Sequence, residues 1–434
     1  MCQNRKREGM FRRIITVIIF TSVCAAQQTY TLDQCIKIAL ENNLDVRLAQ
    51  LNVEAAIENR KGSFSVILPR VSASTVSAFQ NAYTPAGSDV AVGESEYHSG
   101  SFSISQNIFD GGNWWNQLAL SKNSLDLAVH GEQTTRINSL LAVKRAFYQH
   151  LKNIELLAVI RRQVELSERQ VERVRQQYEL EAVSKSDLLK QEVLLGDARV
   201  QYLSQEATLR NSRQNLANVM GIDVNSQFQL SQPSDDGSSI APQENEIWQL
   251  VEAHNPLLVS KRIQVAAQDI RVKIAQAGYF PSLSMSVGYS GSSDKFDEVF
   301  SDMGNEWRRT INLSLSYPLF TGLQRSSQMQ QSRIQADIQR HELAQLTRNL
   351  KVQYENIFRL WQNMNESIPI FEGTKLAAEE DLKLAQERYD LGAATILDLL
   401  NAQLSVAQAN SSLVRAKYDE RILLAELDAL AGKL

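Results

Sequence analysis

The sequence predicts a mainly helical protein with a small β part, in which long helical hairpins join four short strands and the whole plan occurs twice. Three observations carry that expectation. The 434-residue chain resembles itself at an offset of 211 to 212 residues, and its proline-free stretches are long enough for helices of about 100 Å. Four runs of about ten residues also alternate between apolar and small polar side chains.

The first residues stand apart. Arg5, Lys6, Arg7, Arg12 and Arg13 precede an apolar run from Ile14 to Phe20, and Cys24-Ala25-Ala26 supplies small residues, the layout of a secretory signal. That run is too short to span a bilayer, so a signal peptide over 1–26 is expected to be removed; a lipidated Cys24 is the rival reading. Cleavage would take five basic residues and one acidic residue from totals of 45 and 49, leaving 40 against 48 and a net charge of −8. Such a balance argues against nucleic acid as a partner. Cys35 would be the remaining cysteine of three, so no intramolecular disulfide is expected. Its helical spacing with Leu32, Ile36 and Ala39 reads as a small buried apolar residue.

Two copies follow, 27–230 and 244–434, separated by the polar linker 231–243. Asn43 and Asn255 are 212 apart, as are Pro69 and Pro281; Phe109 and Phe320, Tyr178 and Tyr389, Asp187 and Asp398, and Gly221 and Gly432 are each 211 apart. Each copy opens with a helix, about 32–62 and 244–279, and a proline then leads into a strand. The four strands are expected at about 69–80, 99–109, 281–290 and 310–320. In "PSLSMSVGYS", Leu283, Met285, Val287 and Tyr289 share one face, and Ser282, Ser284, Ser286, Gly288 and Ser290 the other. The strand around 311–319 repeats this pattern, with Ile311, Leu313, Leu315, Tyr317 and Leu319 on its apolar face.

Helical hairpins are expected over about 113–220 and 322–430, each a long helix, a turn of a few residues and a second helix of about 35 residues. Pro369 interrupts the second long helix, where an interior proline costs about 3 kcal/mol, so a kink or break is expected between Ser367 and Glu372. Apolar positions such as Leu399, Leu400, Leu404, Val406, Leu413 and Val414 suit a curved helical wall or a coiled coil.

Beyond the leader no uninterrupted apolar stretch of about 18 residues occurs, which excludes a helical membrane protein but not a β-barrel. Four strands of bilayer-crossing length cannot close a barrel, and open edges in lipid would leave backbone groups unpaired. Several copies must therefore share one barrel. Two would give eight strands and a filled interior, and three would give twelve with room for water, which suits the serine face.

Together with "YDLGAATILDLLNAQ" from Tyr389 to Gln403, these features make the whole mature chain resemble the TolC-like outer-membrane efflux protein family. The resemblance implies a homotrimer with a twelve-stranded outer-membrane β-barrel continuing into a periplasmic α-barrel. Such a duct is expected to dock on a periplasmic adaptor and an inner-membrane pump, as the exit of an efflux or type I secretion system. An exported coiled-coil protein without channel activity is the alternative, but it leaves the four strands unexplained.

By the same resemblance, the periplasmic constriction involves Tyr389, Asp398 and Asn401, with Tyr178 and Asp187 in the first copy. Asn401 stands where the family has a second aspartate, and Ala394 where it has an arginine. Asp398 is read equally as part of a negative ring or as a cap of the last helix. Glu181 replaces the turn glycine of the second copy, which suggests a differently shaped turn. Ala182, Ser186, Gly392 and Ala393 are the expected adaptor contacts at the hairpin tips. Trp114, Trp115 and Trp307 are expected at the membrane interface, with core packing as the competing reading. The five histidines are scattered and form no catalytic motif, and Glu379-Glu380-Asp381 beside Lys375 and Lys383 reads as a solvated face. No enzyme activity, cofactor or metal is expected.

Overall fold

The computed structural model describes residues 28–81, 94–232, 244–301, 303 and 307–433. The leader and most of the linker, 233–243, lie outside the described residues, as does the body of the first strand-to-strand loop, 82–93.

Both copies contain the same four helices and two long strands. The first runs β1 (Gln28–Tyr30), α1 (Leu32–Asn42), α2 (Leu44–Ser63), β2 (Arg70–Asn81), β3 (Glu94–Asp110), α3 (Asn113–Glu179), α4 (Lys185–Val219) and β4 (Phe228–Leu230). The second runs α5 (Glu244–His254), α6 (Pro256–Ala277), β5 (Ser282–Ser293), β6 (Arg308–Ser316), α7 (Gln324–Asp390) and α8 (Ile396–Leu430). β1 and β4 form a parallel two-stranded pair between the two ends of the first copy, an element the sequence did not suggest.

The opening helix of each copy is two helices rather than one. Asn43 and Asn255 leave helical geometry, with ψ of 121° and 123°. Each side-chain oxygen then accepts from the next helix's first amides, Asp45 N at 2.8 Å and Leu257 N at 3.0 Å. An asparagine that caps a new helix satisfies donors that would otherwise be orphaned. Gly221 and Gly432, both in the left-handed region, pack against these breaks. A Cβ on Gly432 would come within 2.5 Å of the His254 carbonyl oxygen, so the close approach requires glycine.

α7 passes through Pro369 as one continuous helix, so of the expected kink or break the break is absent. The proline removes one backbone donor, while the 67-residue helix is held by packing against α8 and α6. Tertiary packing on that scale outweighs a local cost of about 3 kcal/mol.

The main sheet has the order β2-β3-β5-β6, all antiparallel. Ala78 pairs with Tyr97 in one hairpin and Ser290 with Arg308 in the other. These pairs correspond at offsets of 212 and 211, so the registers are the same and the lost residue falls in the connecting loop. β6 ends at Ser316, four residues short of expectation. Pro318 has no amide hydrogen for a ladder, and its carbonyl oxygen instead accepts from Arg325 Nη1 at 3.0 Å.

The helical part has a core in each copy. Cys35, Ala39, Val143, Phe147, Leu216 and Met220 are buried together in the first, and Ile247, Val251, Tyr354, Phe358, Leu427 and Ala431 in the second. These are corresponding positions, with volume traded among them: Cys35 becomes Ile247 and Val143 becomes Tyr354, while Met220 becomes Ala431. Burial pushes the Cys35 thiol up to about 12.

Two tests follow from the cores. Phe358→Ala is expected to lower stability by about 3 kcal/mol, measured by thermal unfolding in detergent. Cys35 is expected to stay unmodified by maleimide in the folded protein at pH 8 and to react fully after denaturation.

Candidate functional site

The backbone bonds of the two hairpin turns repeat. Leu180 and Leu391 end the long helices, and Glu181 and Gly392 follow with φ of 56° and 69°. Glu181 N donates to Tyr178 O and Ala182 N to Gln177 O; Gly392 N and Ala393 N make the same bonds to Tyr389 O and Arg388 O. The expected difference in turn shape is therefore absent: Glu181 adopts the left-handed conformation that glycine takes in the second copy, at a cost of about 1 kcal/mol.

The next helix begins with a side-chain cap in both tips. Ser184 Oγ donates to Asp187 Oδ2 at 2.7 Å and accepts from Asp187 N, and Lys190 Nζ donates to Asp187 Oδ1 at 3.4 Å. Asp398 Oδ2 accepts from Thr395 N at 2.9 Å and from Thr395 Oγ1 at 2.7 Å, while Asp398 N donates back to Thr395 Oγ1. This reciprocal capping box makes Thr395 the cap and Asp398 its partner three residues on. The Thr395 hydroxyl, with its backbone amide, holds the Asp398 carboxyl below its ordinary range; the Ser184 hydroxyl, followed by Lys190, does the same for Asp187. Asp398 and Asn401 are exposed on the first turns of α8.

A seam joins the copies along the tips. Tyr389 Oη donates to Gln177 Oε1 at 3.0 Å, and Arg173 Nη1 donates to Asp390 Oδ1 at 2.9 Å. Higher up, α3 meets α8 through Lys152 and Asp419, 2.6 Å apart, through Tyr418 Oη and Glu155 at 2.7 Å, and through Arg145 with Glu426. Tyr178, the counterpart of Tyr389, is exposed. Ala182, Ser186, Gly392 and Ala393 are exposed too, so both tips present small residues outward.

At the other end, the sheet sorts its side chains by register. Val71, Ile104, Val287 and Ile311 form one rung across four strands, and Arg70, Ser105, Ser286 and Asn312 form the next on the opposite face. The polar rungs are cross-linked, with 2.7 Å between the hydroxyls of Ser72 and Ser103 and of Ser74 and Ser101. The apolar face is bare: Val71, Phe79, Ile311, Leu313 and Leu315 are all more than half exposed.

The sequence pattern of the outer membrane efflux protein family matches residues 35–222 and 247–433, once per copy. The chain belongs to that family. It is 22% identical over 400 residues to the outer membrane protein TolC of Vibrio cholerae, covering 91% of this chain and 89% of that one. It is 24% identical over 448 residues to TolC of Escherichia coli, covering 98% and 87%. The CmeC outer membrane channel of Campylobacter jejuni shares the fold, with a TM-score of 0.83 at 16% identity over 92% of this chain and 85% of that one. This efflux protein is an outer-membrane channel with a periplasmic helical part.

Within the efflux protein the three tryptophans expected at the membrane interface divide. Trp114 and Trp115 stack with ring centroids 4.0 Å apart at the start of α3, where Asp110 accepts from Trp114 N, and Trp115 is largely exposed. Trp307 is buried instead. Its Nε1 donates to Val299 O at 2.7 Å, and its ring lies over Gly291 and against Phe102, Tyr289 and Phe300. Packing accounts for Trp307 within the protomer. The seam residues Arg173, Gln177 and Asp390 carry no motif; 217 positions separate the ion-paired ends. Among the described residues no helix is long and apolar enough to cross a membrane, and no acidic, histidine or cysteine cluster could hold a metal.

Because the folded Asp398 carboxyl titrates below its unfolded value, the cap's contribution is complete above the ordinary carboxylate range and is lost as pH falls through the lowered folded value. Amide exchange at the start of α8 is expected to quicken on acidification over that interval. Thr395→Ala is expected to show fast exchange already at neutral pH, with a loss of about 1 kcal/mol of local stability.

Proposed function

We propose that the chain is a passive exit duct built as a homotrimer, with the serine face lining a water-filled bore and the apolar face against outer-membrane lipid. The sheet register carries this reading. A face of exposed valine, isoleucine, leucine and phenylalanine backed by a ladder of hydroxyls suits a wall between lipid and water. β2 and β6 are edge strands, and pairing β6 of one copy with β2 of the next continues the sheet and closes it.

The helices support the same ring. α6 packs against both α3 and α7, whereas its counterpart α2 packs chiefly on α3 and leaves Leu44, Leu48 and Leu51 exposed. α4 likewise exposes Leu189, Val193, Val200 and Leu203, and α7 exposes Ile334, Ile338 and Val352. One set on each side of the protomer suits a head-to-tail contact that closes on itself.

The tips form the periplasmic constriction in this reading. Tyr389 and Tyr178 lie at the seams, and Asp398 and Asp187 supply carboxylates, with Asn401 neutral one turn on. A periplasmic adaptor grips the small residues Ala182, Ser186, Gly392 and Ala393, and an inner-membrane pump loads the duct from below. Trp114 and Trp115, at the junction of strands and helices, anchor the inner surface of the membrane. The scattered histidines and the length of the conduit favour transport over catalysis.

The protein is expected to be extracted from outer membranes only by detergent and to migrate as an oligomer; full solubility of the mature chain without detergent would remove the duct. In planar bilayers, Asp398→Asn, which keeps hydrogen-bonding capacity, is expected to weaken block by a trivalent cation. Unchanged block would take Asp398 out of the bore.

A further inference from the structure

The polar face of the sheet carries free charge of one sign. Register assigns the strand residues to faces, and on the polar side it places Arg70 at the start of β2 and Arg308 at the start of β6. Their neighbours along the rungs are uncharged: Ser105, Ser286 and Asn312 for Arg70, and Ser290, Ser101 and Ser74 for Arg308. β2 starts at the helix end of the sheet and β6 at the loop end, so the two guanidinium groups mark the foot and the mouth of this face. Both are exposed, and among the described residues neither makes an ion pair.

Carboxylates that could offset them are engaged or turned away. Asp110, opposite Ser282 at the end of β3, is the one carboxylate that register puts on the polar face among the described residues. It is half-buried and accepts from Trp114 N at 3.1 and 3.2 Å, through one oxygen each. The connection from β5 to β6 folds over the opposite face. Phe296 meets His98 edge-on with centroids 5.8 Å apart, Phe300 lies against Gly100, and Trp307 covers Gly291. His98, Gly100 and Gly291 all share the apolar side with Phe102 and Tyr289. Glu298 of this connection is bonded to Lys295 at 2.8 Å and to Ser293 at 3.0 Å.

We propose that the membrane section of the duct binds multivalent anions, through a ring of Arg308 at its mouth and a ring of Arg70 at its foot. The proposal rests on the trimer with its serine face inward, and it names the ligand class for that bore: solutes bearing phosphate or sulfonate groups. Water confined by low-dielectric walls focuses the field of such rings and raises the local concentration of counter-ions about tenfold or more. A guanidinium also stays charged at every working pH and forks onto two oxygens of one anionic group. With Asp187 and Asp398 at the tips, the two ends of the duct then carry opposite signs.

Block of single channels in planar bilayers tests the site, with inositol hexaphosphate as the probe. Added to each chamber in turn, it is expected to block wild-type channels from one side, and Arg308→Gln is expected to weaken that block about tenfold. Arg308→Lys, which keeps the charge, is expected to retain it, and Arg308→Gln combined with Arg70→Gln to abolish it. Wild-type channels that conduct without block from either side overturn the anion site and leave the duct standing. Block that is unchanged in the double variant removes the two arginines as its seat, again without touching the duct. Protein that is monomeric in detergent and forms no channels overturns the duct, and the proposed bore with it.

Discussion

The structure depends on backbone that a single copy leaves without partners. β2 and β6 each present an open edge, and in hydrocarbon every unpaired amide or carbonyl costs several kcal/mol. The sheet's faces sharpen the constraint, because one would be stable only in lipid and the other only against water. Strand length, serine spacing and the one-sided exposure of α2 and α4 follow from a wall that is completed only by further copies.

Duplication supplies the parts for such a wall. Two cores at corresponding positions, two hairpins in the same register and two tips with matching bonds show one design used twice. The copies have nevertheless diverged by exchange of volume, as Val143 against Tyr354 and Met220 against Ala431 illustrate. Close packing accepts such trades only in sets, since one enlarged side chain needs a reduced neighbour.

Much of this architecture was readable before any coordinates. Alternation placed the strands, and self-similarity placed the hairpins, because both signals extend over many residues. Short-range features were hidden. β1 and β4 are three residues each, too brief for a pattern, and Asn43 and Asn255 were visible as markers of the repeat but not as helix caps. At Pro369 the local penalty alone does not decide continuity, because the packing of a 67-residue helix keeps it unbroken. Glu181 misled because the chain accepts a non-glycine residue where the turn bonds demand a left-handed conformation. At the tips, Asp398 stands out through the resemblance to the family's tip signature, whereas Arg173 and Asp390 meet only through the fold and carry no signature along the chain.

The unequal cores also limit what can be carried from one half to the other. Tyrosine placed alone at position 143 would overfill a core that still holds Met220, and alanine placed alone at position 220 would open a hole beside Val143. A transplant between the halves therefore has to move whole sets of side chains, so each half is now fitted only to itself.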